Sequence, residues 1–171
     1  MAPRLAVVSY PLLDAADRAR IDAIRAERDP RAAMIAPHFT LVFPVEARTA
    51  EVLAAVEATA RSHGSFAFEL RSVLAVRDTP GPGGHVFLVP ENGRAELVAL
   101  HAHLHGGSLR RADLPFLPHV TVGADPDFGR CEAIAGRLNG DWRTIAGRVE
   151  SLTIVEIVGT VVTPIAKRRL G

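Results

Sequence analysis

The sequence predicts an α+β fold built on mostly antiparallel strands, and three observations lead there. Strand-length apolar runs alternate with helix-period segments, yet two adjacent runs are joined only by a glycine-proline loop, as in a hairpin rather than a crossover. No glycine-rich phosphate loop follows the first strand. The string "GPGG" at 81–84 lacks a lysine and a helix start, which argues against a P-loop and a doubly wound parallel sheet. Two motifs, "PHFT" from Pro37 and "PHVT" from Pro118, recur in similar strand contexts, His119 following His38 by 81 positions. That suggests one internal duplication and no short-period repeat.

Arg4 to Tyr10 is rich in Val and Leu and stops at Pro11, so it reads as a strand. Asp14 is placed to cap a helix through Arg28, with Ile21 and Ile24 on one face and Pro30 ending it. Phe39 to Phe43 is a short strand closed by Pro44, and Thr49 is the expected N-cap of a helix with Val52, Leu53, Val56 and Ala60 at helical spacing. Phe66 to Arg77 is a strand, "TPGPGG" a loop, and "HVFLVP" the returning strand. From Asn92, Leu97, Leu100 and Leu104 mark a helix face that ends near Gly106 and Gly107. "HVTVG" is a strand, Phe128 to Leu138 a helix, and Arg143 to Thr163 one or two strands turning near Glu150.

Length and composition bound the function. With 171 residues, 48% of them hydrophobic and 23% charged, the chain suits one folded unit over 1–171 and excludes disorder. A net charge of +1 makes a poor surface for long duplex nucleic acid, while a small nucleotide or an RNA terminus remains a suitable partner. The lone Cys131 cannot form an internal disulfide and reads as a buried thiol, consistent with a reducing cytoplasm. Early acidic residues and Pro11 argue against a signal peptide, and "LTIVEIVGTVVTPIA" is too short for a membrane span. A cytoplasmic monomer is expected.

The paired motifs carry the chemistry. In a strand, residues i and i+2 share a face, so His38 sits with Thr40 and His119 with Thr121, while Phe39 and Val120 point into the core. Either motif alone could be an ordinary strand entry, with proline at the edge and threonine as a good strand former. Two such strands side by side would line a groove with two imidazoles and two hydroxyls. An imidazole titrates near 6.5, so one ring can accept a proton while its twin donates one. The hydroxyls can hold phosphate oxygens as charge grows on them. A phosphodiester is the matching target, with neither metal nor cofactor required.

"HFTLVF", "LVALHAHL" and "FLPHVTV" together resemble the 2H phosphoesterase superfamily, which includes bacterial 2′-5′ RNA ligase-like proteins and cyclic phosphodiesterases. The resemblance implies a bilobal fold, two mostly antiparallel sheets flanked by helices around a central cleft with pseudo-two-fold symmetry. It implies metal-independent hydrolysis of 2′,3′-cyclic phosphates or 2′-5′ linkages. His38 and His119 would be the catalytic acid and base, and Thr40 and Thr121 the phosphate binders. Gly123 and Ala124 stand where some members carry a basic residue. A nucleotide-binding protein without catalysis, or a 2′-5′ RNA ligase, would use the same cleft.

Other candidates have plainer readings beside them. Tyr10, Phe43 and His85 are possible substrate contacts. Phe43 lies five residues from His38, an odd offset that sends it into the core unless the strand bulges. His85 borders a loop and His63 ends a helix, where exposure is ordinary. His101 and His105 share a helix face four apart, but no His-Glu-x-x-His pattern accompanies them, so a solvated helix end is expected and no metal is assigned.

Overall fold

Local signals in the chain become elements largely where propensity and capping place them. The computed structural model describes residues 3–107, 109 and 115–171. The order is β1 (Arg4–Ser9), β2 (Leu12–Leu13), α1 (Ala15–Arg28), β3 (Phe39–Val45), α2 (Thr49–Ser62), β4 (Phe66–Arg77) and β5 (Gly84–Pro90). There follow α3 (Arg94–Leu104), β6 (Val120–Asp125), α4 (Phe128–Gly140), β7 (Ile145–Val149), β8 (Ser151–Val158) and β9 (Val161–Arg169). Asp14 caps α1 by accepting from the Asp17 N–H at 2.8 Å, and Asp127 caps α4 through the Gly129 N–H at 2.9 Å. Gly93 begins α3 at φ 78°, where a side chain would be strained and would also meet the Ala67 carbonyl at 2.7 Å.

Three boundaries differ from expectation. Arg48, not Thr49, occupies the N-cap of α2, without a side-chain capping bond. Pro44 does not close β3, because irregular pairing with β1 leaves room for a residue that cannot donate to the ladder. The last strand, β9, runs past Thr163 and through Pro164, which an edge strand tolerates at a register shift.

The strands form one sheet in the order β2-β7-β4-β5-β6-β3-β1-β8-β9, every pair antiparallel. The two sheets implied by the family resemblance are halves of this one, joined where Phe39 of β3 pairs with Val120 of β6. With β2 and β7 set aside, chain order repeats itself across the join: β1-α1-β3-α2-β4 corresponds to β5-α3-β6-α4-β8. The repeats interlock, since α1 packs against β6 and α3 against β3. Each motif strand is thus backed by the helix that precedes the other motif.

The four helices among the described residues bury their apolar residues in one core with Phe39, Leu41, Leu88, Val120 and Ile154. A second cluster, Ala6, Val8 and Val155 with Tyr10, Ile157 and Val162, contains no helix residue. It marks the sheet face that the helices leave open. Burial of apolar area on the helix-covered face is the main source of stability here, worth roughly 25 cal/mol per Å². Among the described residues no helix is long and apolar enough to cross a membrane.

Candidate active site

The join between the sheet halves is where the two motifs meet. Pro37 and Pro118 are buried, and His38 and His119 each immediately precede their strands, partly buried. Extending the Phe39–Val120 register by one residue sets His38 opposite Thr121 and Thr40 opposite His119. Each imidazole therefore has its own threonine two residues along and the other motif's threonine across the strand. Because Phe39 and Val120 point into the helix-covered core, these four side chains occupy the open face.

The two rings are held alike. His38 donates from Nδ1 to the Ala36 carbonyl at 2.8 Å, and His119 from Nδ1 to the Leu117 carbonyl at 2.7 Å. A carbonyl can only accept, so Nδ1 carries the hydrogen in both rings and Nε2 is left for a ligand. Burial lowers the His38 pKa, opposed by the Ala36 bond, with the Arg25 charge lowering it further. Burial likewise lowers His119, to about 4, against the Leu117 bond and with help from His38 and His85. Both rings are neutral near pH 7 in the free protein.

A buried ion pair supports the first ring. Arg25, at the end of α1, donates from Nε to Asp29 at 2.8 Å and from a terminal nitrogen to the Ile35 carbonyl at 2.8 Å. Asp29 also accepts from the Arg31 N–H at 2.9 Å. These bonds fold the segment between α1 and His38 against the helix. The i,i+4 spacing of Arg25 and Asp29 is visible in the sequence, but its burial is not.

Phe43 departs from the expectation of core packing. Val8 pairs with Thr40 while Val7 pairs with Val42, so Leu41 is an inserted residue. Leu41 and Val42 both enter the core, and Phe43 returns to the face of Thr40, 38% exposed. Tyr10 also reaches this face, edge-on to His38 with ring centroids 6.2 Å apart. On the other half, Phe87 stacks on His119 at 3.6 Å and on His85 at 5.7 Å. His85 is not simply exposed: its Nε2 lies 3.0 Å from Asp78, and its Nδ1 is buried without a hydrogen-bond partner among the described residues. Phe87 was detectable, since it shares a strand face with His85.

The helix histidines also differ from a solvated end. His101 donates from Nδ1 to the Leu41 carbonyl at 2.8 Å, and His105 donates to the His101 carbonyl at 2.8 Å. His63 does end α2, donating to the Thr59 carbonyl at 3.0 Å. Cys131 is fully buried on α4, as expected.

Comparison with known proteins finds relatives of the chain in sequence and in fold. A Bacillus mycoides (strain KBAB4) protein, whose name assigns it provisionally as a phosphoesterase, is 25% identical over 139 residues, covering 79% of this chain and 77% of its own. E. coli LigT complexed with NADP+ has a similar fold, with TM-score 0.63, 22% identity and 99% of each chain covered. The Thermus thermophilus protein TT0787 matches with TM-score 0.65 at 20% identity, covering 98% of this chain and 97% of that one. The family model of the 2′-5′ RNA ligase superfamily matches residues 13–160, a span that takes in both histidine strands and the helices behind them, and the chain belongs to that superfamily.

Proposed function

We propose that the protein is a metal-independent phosphodiesterase of 2′,3′-cyclic phosphates or 2′-5′ linkages in nucleotides or RNA ends. The observation that carries this reading is the matched pair of imidazoles, each with Nδ1 tied to a carbonyl and Nε2 without a partner among the described residues, beside two threonines on the open face. One Nε2 takes a proton from the attacking water as its oxygen bonds to phosphorus. The other ring, protonated, gives its proton to the ester oxygen as the P–O bond breaks. The hydroxyls of Thr40 and Thr121 donate to the non-bridging oxygens, where charge develops. Two imidazoles supply both proton transfers, so the chemistry needs no metal.

Phe43, exposed beside Thr40, offers a stacking surface for a base; Tyr10, beside His38, and His85, beyond Phe87 from His119, are the further substrate contacts of this reading. Structures of E. coli LigT with 3′-AMP and with ATP support a nucleotide-sized ligand for this fold. Ligation is the same reaction run backward and uses the same groups.

The test is turnover of 2′,3′-cyclic nucleotides, 2′-5′ dinucleotides and cyclic-phosphate RNA ends. His38→Ala and His119→Ala should each lower turnover by about 10²- to 10⁴-fold, with no effect of EDTA on the parent. Full activity in both variants refutes the mechanism. A ligand held through long incubation with no product formed points instead to a binding protein.

A further inference from the structure

His101 stands on α3, outside both motifs, yet it touches the segments that carry both. Its Nδ1–H donates to the carbonyl of Leu41, the inserted residue immediately after Thr40. Its ring lies flat on Phe116, centroids 3.8 Å apart and planes 2° apart, and Phe116 precedes His119 by three positions. A bulge takes a residue out of the regular ladder, and its orientation depends on what satisfies its backbone. Here the satisfying donor comes from a helix and is fixed in the Nδ1–H form by a carbonyl acceptor. His105, tilted against the same ring at 4.1 Å, donates to the His101 carbonyl and does not compete for Leu41.

We infer that His101 is a positioning residue: it holds the β3 bulge in the form that presents Thr40 and Phe43 on the open face and ties that strand to the segment bearing His119. Without its donor, Leu41 can rejoin a regular ladder. A one-residue slip exchanges the faces of everything that follows, which turns Phe43 away from the site.

The activity readout rests on the phosphodiesterase reading; a spectroscopic one does not. His101→Phe keeps a ring on Phe116 and removes the donor, whereas His101→Asn keeps an N–H near the Nδ1 position. Leu97→Val, a buried change on the same helix, serves as the control for stability. With a 2′,3′-cyclic nucleotide, His101→Phe should lower kcat roughly 10- to 100-fold, as small misplacements of reacting groups do. His101→Asn should restore most of that loss, and Leu97→Val should keep kcat even where its Tm falls equally. A kcat for His101→Phe within about twofold of the parent, or an equal loss in Leu97→Val, overturns the inference.

A parent that turns over no phosphodiester defeats the functional reading alone, and NMR then decides. In His101→Phe, but not Leu97→Val, the Thr40 and Phe43 amides and the His119 ring signals should shift. Unchanged spectra there overturn the inference independently of activity.

Discussion

An imidazole pair acts as acid and base only when it holds one proton between its two rings. Burial is the first cause that lowers both His38 and His119, and His119 reaches about 4. The singly protonated pair is therefore most populated below pH 6.5, and its fraction falls about tenfold per pH unit above the upper macroscopic value. We expect kcat/KM for a cyclic nucleotide to peak on the acid side of 6.5 and to decline toward pH 8. A maximum above pH 7 would contradict the assignment. At this scale the motif residues were legible, because His-x-Thr on a strand sets which atoms share a face. The tautomers were not, since the Ala36 and Leu117 carbonyls meet the rings only through the turn of the backbone before each strand.

Between residue and fold lie the elements that aim these side chains. The segment from Asp29 to Pro37 has no regular structure to hold it, and the Arg25–Asp29 pair, each side chain 3% exposed, takes that role. Removing one partner leaves an uncompensated buried charge, so Arg25→Ala should lose roughly 3–5 kcal/mol in urea unfolding. A loss under about 1 kcal/mol would show that the segment is held by its other contacts. Strand β3 adds a second lesson. Period-two alternation places Phe39, Thr40 and Leu41 correctly and then fails from Val42 on, because a bulge changes the count without leaving a mark in the apolar pattern.

The whole molecule presses these neutral rings between two halves of one sheet, and that has a cost in acid. His119 has a folded pKa of about 4 against about 6.5 unfolded, so the unfolded chain takes up its proton first as pH falls. Its contribution to stability is complete above about 6.5 and is lost as pH falls through about 4. The urea midpoint should fall between pH 7 and pH 4.5, and His119→Asn should flatten that slope. An identical slope in the variant would show that His119 is not buried neutral. The interlocked repeats supply the pressure: α1 backs β6 and α3 backs β3, so neither half can open without uncovering the helix face of the other.

Local chemistry in the sequence determined the element types, the apolar face of each helix and the pairing of each histidine with a threonine. Those features follow from propensity, capping and side-chain period, which act within a few residues. Only the tertiary structure decided that β3 and β6 are neighbours, that His38 faces Thr121 and His119 faces Thr40, and that Phe43 looks outward. Contacts between residues about eighty positions apart depend on how two repeats close over a common core, and no local pattern encodes that closure.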